Sequence, residues 1–297
     1  MKMKIGIIGG GSIGLLYAYY LNQSFPVTIY TRTSEQADSI NRDGLRMERG
    51  SDNQQQTFVK AAVIDDWNGN EELTIITVKQ YQLPSIFNKI SLIPRMQGAL
   101  LFLQNGMGHL KTLQNLPVQD IYVGSVEHGA YRAGANLVRH NGEGITRLAL
   151  FKGNITCLRK FVDQSLTSFP VKQESDYYEM LVQKLVVNAV INPLTAVLKV
   201  PNGELIANPH YYHVLESIFS ELTVVLDLEE KNEYFQHIIA VCKKTAQNRS
   251  SMLKDIEQNQ ETEIEAILGF VIEEAKTKGL HAPIVTTFYR LVKGMTK

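Results

Sequence analysis

The stretch MKIGIIGGGSIGLLYAYYLNQ, residues 3–23, opens on a compact apolar run and breaks at once into glycines. Met3–Ile8 reads as a β-strand, and LLYAYYLNQ at 15–23 reads as a helix. Between them stand Gly9, Gly10, Gly11, Ser12, Ile13 and Gly14, a G-x-G-x-x-G that follows a strand and opens a helix. In that order the spacing is the fingerprint of a dinucleotide-binding turn. Gly9 permits the tight turn, Gly11 lets the backbone approach a pyrophosphate, and Gly14 lets helix and strand pack closely. The helix N-terminus adds N–H groups and a positive dipole end for the phosphates. The alternative is a glycine-rich turn with no ligand, and the strand–turn–helix context weighs against it.

Working outward, Val27–Thr31 reads as the second strand and runs into Tyr30-Thr31-Arg32. An NAD site normally ends this strand on an acid that binds the ribose 2′-hydroxyl. A cation at Arg32 instead suits a 2′-phosphate, which favours NADP. Glu35 is the rival acid, but it falls in the helix that follows. Leu73–Val78 ends at Lys79, and Ala99–Leu103 ends at Gln104-Asn105-Gly106. Residues just past the carboxyl ends of strands line the crevice of an open α/β sheet, so Lys79 and Asn105 are candidates to meet a ligand. Ile121–Gly124 reads as a further strand. A glycine-rich β region follows at Glu127–Arg132, Leu137–His140 and Ile145–Phe151. His128 within it could serve as an acid or base, although a lone histidine is more often structural.

From Asp176 the pattern changes to long apolar helical periods, at 176–199, 211–228, 233–248, 261–278 and 283–294. The fold expected is therefore an α/β domain with a parallel sheet over 1–174 and an all-helical domain over 175–297. The first helix carries K-L-V-V-N-A-V-I-N at 184–192, apolar except at Lys184, Asn188 and Asn192. Steps of four drift only ~40° around a helix, so the three side chains share one stripe. Buried polar groups need partners, from the protein or from a ligand. Pro193 predicts a kink or break at 192–194. Further polar clusters are Asn202-Gly203-Glu204 and Arg249-Ser250-Ser251, with Glu263 beyond; either serine alone reads best as a helix cap. A cleft between a nucleotide domain and a helical domain is a common substrate site. A carbonyl that accepts hydride needs a proton donor at its oxygen, and Lys184 can supply one.

Composition narrows the remaining classes. The chain has 297 residues, 44% hydrophobic and 20% charged, with zero net charge. No strong field points to nucleic acid or an anionic membrane. No stretch reaches the ~18 continuous apolar residues of a membrane span. Cys157 and Cys242 form no disulfide framework, which favours a reducing cytoplasm. The N-terminal apolar run is interrupted by glycines and lacks a signal cleavage pattern.

These residues resemble the 2-dehydropantoate 2-reductase (ketopantoate reductase) family along essentially the whole chain. The resemblance rests on IGGGSIG at 8–14, TVKQ at 77–80, QNGMG at 104–108, KLVVNAVINPLTA at 184–196, NGEL at 202–205, RSSMLKD at 249–255 and TEI at 262–264. It implies a Rossmann-like nucleotide domain, a helical substrate domain, and NADPH-dependent reduction of ketopantoate to D-pantoate on the route to pantothenate and coenzyme A. It further implies that Lys184 is the general acid. Asn188, Asn192, Asn202 and Ser251 would bind substrate, and Asn105 would touch both substrate and cofactor. The glycine loop, Arg32, Lys79, Ala130 and Glu263 would form the NADP site. One departure is Glu127, where a small hydroxyl residue is expected; a carboxylate facing the substrate would alter its fit. Two alternatives stay open: a related NADP-dependent 2-oxo acid reductase or opine-type dehydrogenase, and a non-catalytic NADP-binding sensor. A sensor needs no proton donor, so Lys184 argues against it. The helical domain could supply a homodimer face, but no patch is identifiable.

Overall fold

The opening strand lies inside a sheet. In the computed structural model, which describes residues 2–50, 53–94 and 96–296, β1 (Ile5–Ile8) pairs in parallel with β2 (Val27–Thr31) on one side and β6 (Leu73–Ile76) on the other. Adding β5 (Lys60–Val63), β7 (Ala99–Phe102), β8 (Ile121–Val126), β11 (Thr146–Lys152) and β12 (Val171–Gln173) gives the order β12-β11-β8-β7-β6-β1-β2-β5. Every neighbouring pair is parallel except β8 with β11. β1, β6, β7 and β8 are buried along their whole length, which is why they read as unbroken apolar runs. The chain moves outward from β1 through β2 to β5 and then returns to β6. The strand order therefore reverses between β1 and β6, the kind of switch point at which open α/β sheets bind ligands.

The helix α1 (Ser12–Leu21) is buried from Gly14 to Leu21, with apolar residues nearly all round. Such a helix must be covered on every side. One cover is the main sheet. The other is a four-stranded sheet, built from β3 (Leu45–Arg49), β4 (Asn53–Thr57), β9 (Gly129–Arg132) and β10 (Leu137–Gly142) in the order β4-β3-β10-β9. α1 packs against β1 and β2 on one side and against β3, β9 and β10 on the other. Its tyrosines place their hydroxyls on polar partners: Tyr17 on Thr146, Tyr19 on Gln55 at 2.6 Å, and Tyr20 on His140 Nδ1 at 3.0 Å. The helices α2 (Ser34–Asp43), α3 (Leu83–Leu92), α4 (Leu110–Gln114) and α5 (Thr156–Asp163) complete this half.

Two compact units result: residues 1–104 with 111–180, and residues 105–110 with 181–297. Most of α6 (Tyr177–Leu198) lies in the second. With it are α7 (Glu204–Ala207), α8 (Pro209–Val225), α9 (Lys231–Lys244), α10 (Ser251–Glu257), α11 (Phe270–Thr277) and α12 (Pro283–Met295). Of the kink or break expected at 192–194, no break occurs, and α6 runs through Pro193 as one helix. A proline removes one helical hydrogen bond, but Leu185, Val186, Ala189, Val190, Ile191 and Leu194 are all buried around it. Packing of that face outweighs the local rule. By length and composition α6 could cross a membrane, yet 67% of its most apolar window is buried, as in a core helix. The helix expected over 261–278 instead opens with a π turn at Glu265–Gly269 before α11. That turn gives the Ala266 carbonyl to the N–H of Met107 at 3.1 Å.

Candidate active site

The glycine loop joins β1 to α1. Gly9 has φ +118°, a left-handed conformation that favours glycine. A Cβ at Gly14 would overlap the Gly9 carbonyl, so the third glycine is demanded by contact of helix and turn. Thr77, just past β6, donates its hydroxyl to the carbonyls of Ile8 at 3.0 Å and Gly9 at 3.2 Å, which pins the turn. Gly11 differs: a Cβ there meets nothing within 4 Å. It also forms the N-cap of α1 with no side-chain cap, so the first-turn N–H groups face an open approach beside Ser12 and Ile13. A bare helix N-terminus beside a glycine with space in front fits a pyrophosphate.

Around this loop, Arg32 is exposed at the end of β2 and makes no ion pair among the described residues. Thr33 caps α2, and Glu35 lies in its first turn, where a carboxylate complements the helix dipole. Lys79 is half-buried beyond β6, and its N–H donates to Gln82 Oε1 at 3.2 Å. Gln104 lies two residues past β7 and donates to the carbonyls of Ile76 at 3.0 Å and Val78 at 2.8 Å. Ala130 is partly buried on β9 opposite His140. The Gly10 carbonyl accepts from Gln36 Nε2 at 2.8 Å and Arg132 Nη1 at 3.4 Å.

In the helical unit, Lys184, Asn188 and Asn192 share one stripe of an unbroken helix, each about 6 Å further along the axis. Lys184 and Asn188 are half-buried and Asn192 is buried. Among the described residues, neither asparagine side chain makes a hydrogen bond with the protein. One turn on, Thr195 donates to Ser250 Oγ at 2.8 Å, and Ser250 in turn caps α10 through the Leu253 N–H at 3.1 Å. This bond ties the start of α10 to α6 and leaves Ser251 exposed as the first residue of α10. Asn202 is buried; its backbone N–H reaches the Asn248 carbonyl at 3.0 Å, and its amide nitrogen reaches Thr245 Oγ1 at 2.8 Å. Its Oδ1 is buried and has no hydrogen-bond partner among the described residues. Asn105 donates to Glu263 Oε2 at 2.8 Å. Gly106 has φ +78°, and a Cβ there would strike the Ala266 backbone, so the loop sits flat on the π turn. The structure thus groups the glycine loop, Arg32, Lys79 and Ala130 in the first unit, and Lys184, the asparagines, Ser251 and Glu263 in the second. Thr195, Thr245, Gln36, Gln104 and Arg132 were missed. Two of these carried a sequence signal: Thr195 lies three residues beyond Asn192, and Gln104 adjoins Asn105 past a strand end.

His128 is a structural histidine. Its ring stacks on Phe169 at 4.3 Å, and its Nδ1 accepts from the Gly144 N–H at 3.2 Å. His140 Nε2 lies 3.3 Å from the same nitrogen. Burial, with the neighbouring His140, pushes His128 down to about 4. Burial and the charge of Arg49 lower His140 as well. Glu127 is engaged at the surface: its carboxylate accepts from Arg147 Nε at 3.0 Å, while Arg147 also holds Glu174 at 2.6 Å.

Comparison with known proteins bears on both units. Residues 5–153 match the family described as ketopantoate reductase PanE/ApbA, and residues 176–296 match its C-terminal counterpart. A 2-dehydropantoate 2-reductase of Bacillus subtilis (strain 168) is 40% identical over 297 residues, covering 99% of this chain and 98% of the relative. The crystal structure of the probable 2-dehydropantoate 2-reductase of Bacillus subtilis superposes with TM-score 0.90 at 41% identity, covering 99% of this chain and 100% of that one. A dimeric ketopantoate reductase from Staphylococcus aureus shares the fold, with TM-score 0.82 at 22% identity over 99% of this chain and 98% of that one. With both units matched and the relationship running the length of the chain, the protein belongs to the ketopantoate reductase PanE/ApbA family.

Proposed function

We propose that the protein catalyses the NADPH-dependent reduction of 2-dehydropantoate to D-pantoate, within the synthesis of pantothenate and coenzyme A. The reading rests on full-length kinship with 2-dehydropantoate 2-reductases. For the residues, the observation that carries it is the α6 stripe: a lysine followed by two amides that take no protein partner among the described residues. The cofactor, when bound, supplies the hydride to the C2 carbonyl. Lys184 then donates its ammonium proton to the C2 oxygen, where negative charge develops. Asn188 and Asn192 can each donate and accept, which suits an acid carrying both a carboxylate and a hydroxyl. Ser251 and Asn202 complete the acid-binding set. Asn105 is oriented by Glu263 and serves both substrate and cofactor. The loop from Gly9 to Gly14 holds the pyrophosphate, Arg32 pairs with the 2′-phosphate, and Lys79 and Ala130 line the same site.

We assign residues 1–174 to the nucleotide-binding domain and 175–297 to the substrate domain. A cytoplasmic homodimer is the assembly we expect, supported by two free thiols and by the dimeric relative of the same fold. Glu127 is engaged by Arg147 and gives no reason to prefer another 2-oxo acid. The test is a rate comparison across several 2-oxo acids with NADPH and NADH. Ketopantoate with NADPH should be fastest, and equal rates with both cofactors would refute the role of Arg32. Lys184→Ala should lower kcat by about 10²–10⁴-fold with NADPH still bound, the range for losing a general acid. Turnover that survives would remove Lys184 from that role.

A further inference from the structure

We infer that Arg132 is a second cation of the cofactor's 2′-phosphate site, acting beside Arg32. The inference rests on the NADPH reading above. Arg132 closes β9 at the edge of the four-stranded sheet and is exposed. Its Nη1 donates to the Gly10 carbonyl at 3.4 Å, and Gln36 Nε2 donates to the same oxygen at 2.8 Å. Two donors that share one acceptor lie about 6 Å apart at most. The guanidinium is therefore held next to the first turn of α2, which contains Gln36 and is capped by Thr33. Arg32 immediately precedes that cap. The carboxyl end of β2 is where a dinucleotide fold receives the adenosine ribose, so both arginines border the ribose 2′ position.

Two further observations separate Arg132 from a solvated surface arginine. Gln36 Nε2 also donates to Ala135 at 2.9 Å, so the turn after β9 is clipped to the glycine loop and Arg132 is delivered there. Arg42, Arg49, Arg139 and Arg147 of the same unit each hold a carboxylate, whereas Arg132 and Arg32, like Arg46 and Arg159, hold none among the described residues. A guanidinium with one N–H on Gly10 retains four others, arranged to fork onto phosphate oxygens.

The test replaces Arg132 by Met, which keeps the apolar stem, and by Lys. Competitive inhibition by adenosine 2′,5′-bisphosphate and by ADP is measured, together with KM for NADPH and NADH. Arg132→Met should raise KM for NADPH and Ki for the bisphosphate about tenfold or more. KM for NADH and Ki for ADP should stay within about twofold, and Arg132→Lys should recover part of the loss. Weakening of ADP as large as or larger than that of the bisphosphate assigns Arg132 to the 5′-phosphates or to loop packing and overturns the inference, as does no change in either. A wild type that binds both probes equally would sink the NADPH reading itself. A discriminating wild type with an equally discriminating Arg132→Met variant overturns the inference alone.

Discussion

Gly11 and Gly14 belong to one motif, yet the structure assigns them opposite kinds of constraint, and alanine at each position tells them apart. At Gly11 the backbone is extended, φ −80° and ψ −172°, which alanine adopts without strain. The added Cβ has no neighbour within 4 Å, so the folded state loses nothing. Restricting the unfolded chain should stabilise the variant by about 0.4–1 kcal/mol. That corresponds to a Tm unchanged or raised by roughly 1–4 °C. The same methyl stands where the pyrophosphate would approach. A phosphate pushed outward by about one C–C bond length, ~1.5 Å, leaves hydrogen-bond range of the first-turn N–H groups. Losing one or two such bonds to a charged group costs about 1.5–3 kcal/mol each. NADPH affinity should thus fall by at least about tenfold, and by more than a hundredfold if both are lost. At Gly14 the Cβ would overlap the Gly9 carbonyl and sit 2.7 Å from Thr77 Oγ1. Gly14→Ala should therefore fail first in stability, because α1 must move off β1. Thermal melts and fluorescence titration with NADPH separate the two. If Gly11→Ala binds NADPH within about threefold of wild type, the open side of the loop is not the cofactor's approach. A Tm several degrees lower would mean that an unseen protein neighbour fills it.

Two other predictions follow from contacts described above. Asn105 and Glu263 share a hydrogen bond at 2.8 Å, so Asn105→Ala and Glu263→Gln should be non-additive, with coupling of about 0.5–3 kcal/mol in kcat/KM; strict additivity would show that the pair does not act together. His128 titrates at about 4 when folded against its usual 6.5, so the unfolded chain binds the proton first and stability rises with pH. This contribution is full above pH 6.5 and is lost as pH falls towards 4, about 3 kcal/mol for this histidine. His128→Phe preserves the stack on Phe169 and should flatten that part of the curve in urea titrations at several pH values; an unchanged slope would place the dependence elsewhere.

The α/β start was legible because its signal is local: a strand, three spaced glycines and a helix within a few turns of chain. The change to helices after Asp176 was legible for the same reason. The second sheet was read only in part. Asn53–Thr57 reads N-Q-Q-Q-T and pairs with β3 alone at a sheet edge, so it carries no apolar alternation to betray a strand. Pro193 shows a local rule overruled by packing that the sequence does not display. In the site, Lys184, Asn188 and Asn192 could be grouped because one helix converts spacing in sequence into spacing in space. Asn105 and Glu263 are 158 residues apart, and Arg132 and Gly10 are 122 apart. No periodicity links such positions; family resemblance supplied the first pair, and nothing supplied the second.

The segment Asn105–Leu110 is encoded amid the sheet unit yet belongs to the helical one. On the ribosome, its partners Glu263 and Ala266 emerge long after it, so the helical unit cannot close until nearly the whole chain has been made. Contacts this distant in sequence are slow to form. A gene severed at residue 175 would yield two fragments, neither holding a complete helical unit. The hydrogen bonds that orient Asn105 make the two halves of this polypeptide a single heritable piece.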